Sequence, residues 1–221
     1  MKKLIMKVIK LILFICILCL VIALALGYNK YKSAINEINL TDKVDSIRDS
    51  THYKSLDEIN PVFLEAIVAI EDHRFYEHGP IDFISLVRAT IVNTLQKDIV
   101  QGGSTLTQQV AKNLYFSNDQ SYIRKVAEMF VARDLEKHYS KDEVLELYVN
   151  IIYYGDGNYG IKEASQNYFN KQPIDLSYDE ATLLAGLPQS PSSYALSKHY
   201  DRAKERQQEV INALKKYSKS E

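Results

Sequence analysis

A mainly α-helical protein is what this sequence predicts, and three observations carry the prediction. Apolar residues recur at helical spacing through most of the chain after residue 60. Helix-starting signatures such as Asn60-Pro61 and Ser140-x-x-Glu143 stand directly ahead of those stretches. Strand–helix alternation, repeats and low-complexity tracts do not occur, so no βαβ architecture is indicated. With 221 residues, 46% of them hydrophobic, the chain is long enough for one sizeable core.

The elements follow in order. "MKKLIMKVIK" carries Lys2, Lys3, Lys7 and Lys10, and Leu11 to Leu26 is then free of charged or strongly polar side chains. With Gly27 and Tyr28 the run approaches the roughly 20 residues that cross a bilayer. Residues 1–10 therefore read as a basic cytoplasmic tail, 11–28 as a single transmembrane anchor, 29–54 as a juxtamembrane stalk and 55–221 as the globular domain. The lysine-rich flank keeps the N-terminus in the cytoplasm and puts the domain outside the cell membrane. Ala23-Leu24-Ala25 resembles a signal-peptidase site, so a cleaved leader is the rival reading; the length of the run favours a retained anchor. Cys16 and Cys19 are the only cysteines and both lie in that run, which leaves the exported part without thiol or disulfide. Setting aside the four leading lysines, 23 basic residues face 28 acidic ones, a net −5. Such a domain is a poor nucleic-acid binder, and an anionic ligand would need a local basic cluster.

Asn60-Pro61 supplies an N-cap and a proline at the first helical position ahead of Val62 to Ile70. Asp82 caps a second helix bearing Phe83, Leu86, Val87, Thr90 and Ile91, unusually apolar for a surface helix. "GGSTLTQQ" breaks the pattern. Ile123 to His138 resumes it with Ile123, Val126, Ala127, Phe130 and Val131 in one stripe. Capping boxes at Ser140/Glu143 and Ser177/Glu180 open two more helices around the turn-rich "YYGDGNYG", and Asp201 starts a last helix through Val210, Ile211 and Leu214.

Three clusters carry chemistry. In "EDHRFYEHGPID" Glu71 stands at the end of a buried apolar helix, where desolvation raises a carboxyl's pKa and suits it to general acid–base work; the plainer reading pairs Glu71 and Asp72 with His73 or Arg74 as a structural helix end. In "QGGSTLTQQVAKN", Gly102 and Gly103 permit close backbone approach or positive φ, and Ser104, Thr105, Thr107, Gln108, Gln109, Lys112 and Asn113 offer donors for phosphate or sugar oxygens. It is not a Walker loop. In "RKVAE", Arg124 and Glu128 are four apart on a helix, which is either an ordinary surface pair or, with Lys125, a holder for a pyrophosphate leaving group, directly or through a divalent ion.

Together these stretches resemble the peptidoglycan glycosyltransferases, glycosyltransferase family 51. The matching residues are Glu71, Asp72, Phe75 and His78 in E-D-x-x-F-x-x-H, Gly102 to Asn113 (with Gly103) in G-G-S-T-x-T-Q-Q-x-x-K-N, and Arg124, Lys125 and Glu128 in R-K-x-x-E. "KDEVLELYVN", "IYYGDGNYGIKEASQNYFNK" and "EATLLAGLPQSPSSY" continue the likeness over about residues 55 to 212. The resemblance implies a lysozyme-like fold with a large lobe and a membrane-embedded jaw that contains the apolar helix after Asp82. It further implies processive polymerisation of lipid II, the growing polyprenyl-pyrophosphate-linked glycan being the donor. On that reading Glu71 is the general base; Glu128, Lys112, Arg124 and Lys125 serve the pyrophosphate with Mg²⁺ or Mn²⁺ as an optional partner; and Ser104, Thr105, Gln108 and Gln109 orient the donor. The membrane and other cell-wall synthesis or division proteins are the expected partners.

The sequence departs from the family pattern at His78-Gly79-Pro80-Ile81-Asp82, with glycine one place early, and at Asn118-Asp119-Gln120, where many members carry an arginine. The S-x-x-K and K-T-G motifs of a transpeptidase do not occur, which points to the monofunctional members. A lytic transglycosylase shares the fold and a catalytic glutamate but has no use for a pyrophosphate site; an inactive scaffold would not need both Glu71 and Glu128.

Overall fold

The computed structural model describes residues 1–96, 102–116 and 121–217, with the side chains of 83–89, 92 and 94 in its fourth helix. Among the described residues the regular structure is helical apart from one bridge between Tyr153 and Tyr159. The mainly α expectation holds.

The first helix, α1 (Lys2–Glu37), is unbroken, and its large apolar side chains from Leu4 to Leu26 are all exposed. It is long and apolar enough to cross a membrane. From Gly27 onward its character changes, because Gly27 and Tyr31 are buried against the domain. After the turn at Asn39, which caps α2 (Leu40–Arg48) through Asp42 N, Val44 is buried in the common core. The expected stalk over 29–54 is therefore docked structure. Its apolar positions Tyr31, Ile35, Leu40, Val44 and Ile47 are helically spaced and turn inward, a pattern masked in the sequence by the surrounding lysines and aspartates.

Most of the core comes from α3 (Pro61–Glu71), α5 (Leu106–Tyr115), α6 (Tyr122–His138), α7 (Lys141–Ile151), α9 (Tyr178–Gly186) and α10 (Tyr200–Tyr217). α3 begins where Asn60 Oδ1 accepts from Val62 N at 2.9 Å with Pro61 at its first position, and it buries Phe63, Ala66, Ile67 and Ala69. It lies between α9 and α10, while α5 packs on α6 and α7. The capping boxes at Ser140/Glu143 and Ser177/Glu180 open α7 and α9. Between α7 and α8 (Ile161–Phe169), Gly155, Asp156, Gly157 and Gly160 take positive φ, so the turn-rich segment folds back on itself; a side chain at Gly160 would meet the Asn150 carbonyl oxygen at 2.5 Å.

α4 (Phe83–Gln96) stands apart: none of its described side chains belongs to the common core. Asp82 caps it, accepting from Ile84 N and Ser85 N at 3.0 and 3.1 Å. Phe83, Ile84 and Val87 are each more than half exposed. This is the smaller lobe, and its exposed apolar face is oriented away from the core.

Candidate active site

Glu71 is the last residue of α3, at the helix end whose partial negative charge already disfavours a carboxylate. Burial dominates and pushes its carboxyl above the ordinary glutamate range; the Gln109 amide and the Arg206 guanidinium pull the other way, and Asp72 adds to the rise. Gln109 Nε2 donates to Oε2 at 2.8 Å, and Tyr148 OH donates to Gln109 Oε1 at 3.4 Å, which fixes the amide's orientation. The other oxygen, Oε1, is buried without a hydrogen-bond partner, and Arg206 Nη2 stands 3.9 Å from it. A buried acid with one free oxygen is poised to accept a proton from an incoming group.

The neighbouring motif residues build the frame. Asp72 is buried, accepting from His78 Nε2 at 2.7 Å and from Leu106 N at 3.0 Å, so it fastens the end of α3 to the start of α5. Burial disfavours the His78 cation, yet the hydrogen bonds to Asp72 and the Gly79 carbonyl outweigh it and raise its pKa. Phe75 is fully buried, with Lys141 Nζ 4.5 Å from its ring centroid. Thr105 and Gln108 form a capping box on α5 that the sequence pattern did not bring out: Thr105 Oγ1 accepts from Gln108 N, Gln108 Oε1 accepts from Thr105 N, and Thr105 OH also donates to the Pro80 carbonyl at 2.9 Å. Both are buried, and these bonds shape the loop between Pro80 and α5. Neither Gly102 nor Gly103 has positive φ; Gly103 instead lies close to Leu86 and Ala89 of α4. Asn113 is exposed and donates to the Gln109 carbonyl.

The cationic cluster lies on α6 and α5. Glu128 is 1% exposed and its two oxygens take Arg124 and Lys125, the latter at 3.1 Å. Lys125 Nζ also donates to Ser104 Oγ at 2.7 Å, tying the glycine loop to α6. Lys112 is held below the ordinary lysine range by burial and then by Arg124 and Lys125, with Glu128 opposing. Among the described residues its ammonium makes no hydrogen bond or ion pair. Gln109 and Lys112 are three apart on α5, so one helix face carries both the partner of Glu71 and this cation, with Cβ atoms about 5–6 Å apart.

Two arginines escaped the sequence reading. Arg88 of α4 lines the same narrow cavity as Glu71, Ser104 and Thr105, and Arg206 of α10 faces Glu71; each has a buried Nε without a partner. The signal was present: Arg206 falls on the stripe Ala203, Val210, Leu214 that α10 turns to the core, where a cation calls for anions; it pairs with Glu209 at 2.5 Å on its own helix and faces Glu71 across the core. The departure at Asn118-Asp119-Gln120 lies outside the described residues, as do the side chains of Thr90 and Ile91. The one at Gly79-Pro80 is accommodated by the Thr105–Pro80 bond.

A resident divalent ion does not fit Glu128, whose single carboxylate already holds two cations beside a third. Asp72, His78 and Asp82 lie close enough to share an ion, but their ligand atoms are bonded to one another, to Arg74, to Ser85 and to backbone N–H groups.

An all-helical domain with a buried acid beside a cation-lined cleft, built from these motifs, is the framework of a transglycosylase. The chain belongs to that family: the Transglycosylase family matches residues 38–215, from the start of α2 into the last turn of α10. Among its relatives are penicillin-binding protein 1F of Bacillus subtilis (strain 168), 44% identical over 160 residues that make up 72% of this chain and 22% of the relative, and penicillin-binding protein 1A of Aquifex aeolicus (strain VF5), 44% over 162 residues, 73% and 22%. A Cupriavidus necator protein whose name carries the word transglycosylase is 40% identical over 182 residues, 82% of this chain and 78% of that one. The chain spans about a fifth to a quarter of the penicillin-binding proteins it matches. It carries a transglycosylase domain.

Proposed function

We propose that this domain polymerises lipid II into linear β-1,4 glycan, with the growing polyprenyl-pyrophosphate-linked strand as donor. The observation that carries the reading is the shared face of α5: Gln109 orients the buried Glu71, and Lys112 opens toward the Arg124–Lys125–Glu128 cluster one turn further on. The side chain that orients the base and one cation of the pyrophosphate holder are thus fixed on one rigid element.

Glu71 Oε1 removes the proton from the acceptor's 4-hydroxyl as that oxygen attacks the donor's anomeric carbon. The bond from that carbon to the pyrophosphate breaks, the electron pair leaves with the pyrophosphate, and inversion converts an α-linked donor to a β-linkage. Lys112, Arg124 and Lys125 meet the charge that builds on the leaving group, and Glu128 keeps the latter two in place. Ser104 and Gln109 flank the donor, while Arg88 lends a cation on the jaw side. The frame residues Asp72, Phe75, His78, Thr105 and Gln108 act through the loop they hold. No step requires a metal. In the cell α1 anchors the enzyme with its N-terminus in the cytoplasm and the domain outside, where lipid-linked donors are delivered.

The test is incubation of the full-length chain with labelled lipid II and separation of products by length. Long strands from the wild type, absent with Glu71→Gln and with Lys112→Ala, are expected; shortening of pre-made glycan would replace this reading with lytic cleavage, and no reaction by folded protein would leave a scaffold.

A further inference from the structure

α1 and α6 make the most extensive helix contact in the molecule, and it joins the membrane anchor to the helix that carries the cationic cluster. The seam is unusually close. A Cβ on Gly27 would stand 2.4 Å from Val126 Cγ1 and 3.2 Å from the Ile123 carbonyl oxygen. One turn on, the Tyr28 and Tyr31 rings lie 5.3 and 5.5 Å from the Phe130 ring, and Tyr31 OH donates to Asp134. Partners on both helices rise together, from 27 to 31 on α1 and from 126 to 134 on α6, so the two run parallel and α6 points its first turn back toward the membrane.

That register fixes a height. Leu11 to Leu26 is a helix about 24 Å long, which places Gly27 near the outer edge of a hydrocarbon layer about 30 Å thick. Lys30 and Lys32 follow at once, and Tyr122, the first residue of α6, is 92% exposed about one helical turn, roughly 6 Å, nearer the membrane than Val126, in the zone of interfacial aromatics. Lys125 precedes Val126 by one residue, about 1.5 Å along the axis. We propose that Gly27 and Val126 are positioning residues: their contact makes the anchor a rigid gauge that holds Arg124, Lys125 and Glu128 at the depth of lipid phosphate groups, so that a membrane-embedded pyrophosphate meets them without leaving the interface. The benefit to catalysis rests on the function proposed above; the height itself does not.

The chain has no tryptophan, so Tyr122→Trp in the full-length protein gives a single reporter. In vesicles containing lipids brominated at graded acyl positions, its fluorescence should be quenched most by the shallowest bromines. Gly27→Val should shift that depth profile and raise KM for bilayer-embedded lipid II about ten-fold or more, leaving kcat/KM for a short-chain, detergent-dispersed analogue unchanged. Transposing the pair, Gly27→Ala with Val126→Gly, should restore both readouts. An unchanged depth profile in Gly27→Val overturns the proposal, as does equal loss with both substrates that the transposed pair fails to restore. If the wild type makes no glycan from any substrate, the function fails while the depth series still decides the height.

Discussion

Glu71 is an acid that the fold makes costly to ionise, and that cost is the source of its basicity. Because its folded pKa is raised above that of the unfolded chain, its contribution to stability is fully present below the ordinary glutamate range and is lost as pH rises through the folded value. Glu71→Gln, which keeps the shape and can still accept from Gln109, should therefore melt at a higher temperature than the wild type above neutral pH. The difference should vanish as both are acidified below about pH 4. The same variant should lose polymerisation by about 10²- to 10⁴-fold, the span general base catalysis supplies. Arg206 works on the same acid from the other side. It is the cation that favours the Glu71 charge, so Arg206→Gln should move the acid limb of the kcat/KM–pH profile to higher pH. A drop in rate at every pH with no movement of that limb would mean that Arg206 merely packs against Gly186.

At the scale of elements, α5 shows what the sequence could and could not disclose. Its motif residues all read as ligand donors because a polar side chain has one composition and two uses. Only the fold separates Thr105 and Gln108, which close the helix cap on each other, from Gln109, which holds Glu71, and Lys112, which lies beside the Arg124–Glu128 pair. Caps at Asn60, Ser140 and Ser177 were legible because each precedes an apolar run; the cap at Thr105 was hidden behind two glycines and further hydroxyls. This division predicts different consequences within one loop. Thr105→Val removes an N-cap and a bond to Pro80 and should lower stability by about 0.5–2 kcal/mol in urea titration, with KM for lipid II little changed in the molecules that remain folded. Ser104→Ala breaks only the bond to Lys125 and should do the reverse, raising KM with little change in the urea midpoint.

At the scale of the molecule, the helical class and the long apolar first helix were readable from periodicity, whereas the docking of residues 29–48 was not. Docking depends on Gly27, a residue with no side chain to signal it, and on Asp134, 103 residues from Tyr31 and on a different helix. The apolar helix α4 was readable too, but its partner was not: the same pattern serves a buried helix or one that faces lipid. The structure turns Phe83, Ile84 and Val87 outward and gives the core none of α4's described side chains. On the function proposed above, an exposed face of that kind, on the lobe that also supplies Arg88 to the cavity, lies against the bilayer beside the donor's polyprenyl tail. Replacing Phe83, Ile84 and Val87 together by serine should then leave the thermal midpoint nearly unchanged, since solvent-exposed positions contribute little to folding. Polymerisation of bilayer-embedded lipid II should fall several-fold while turnover of a short-chain, detergent-dispersed analogue persists. A marked loss of thermal stability would show that this face is packed against protein, and equal turnover of both substrates would show that the jaw reaches its donor without touching lipid.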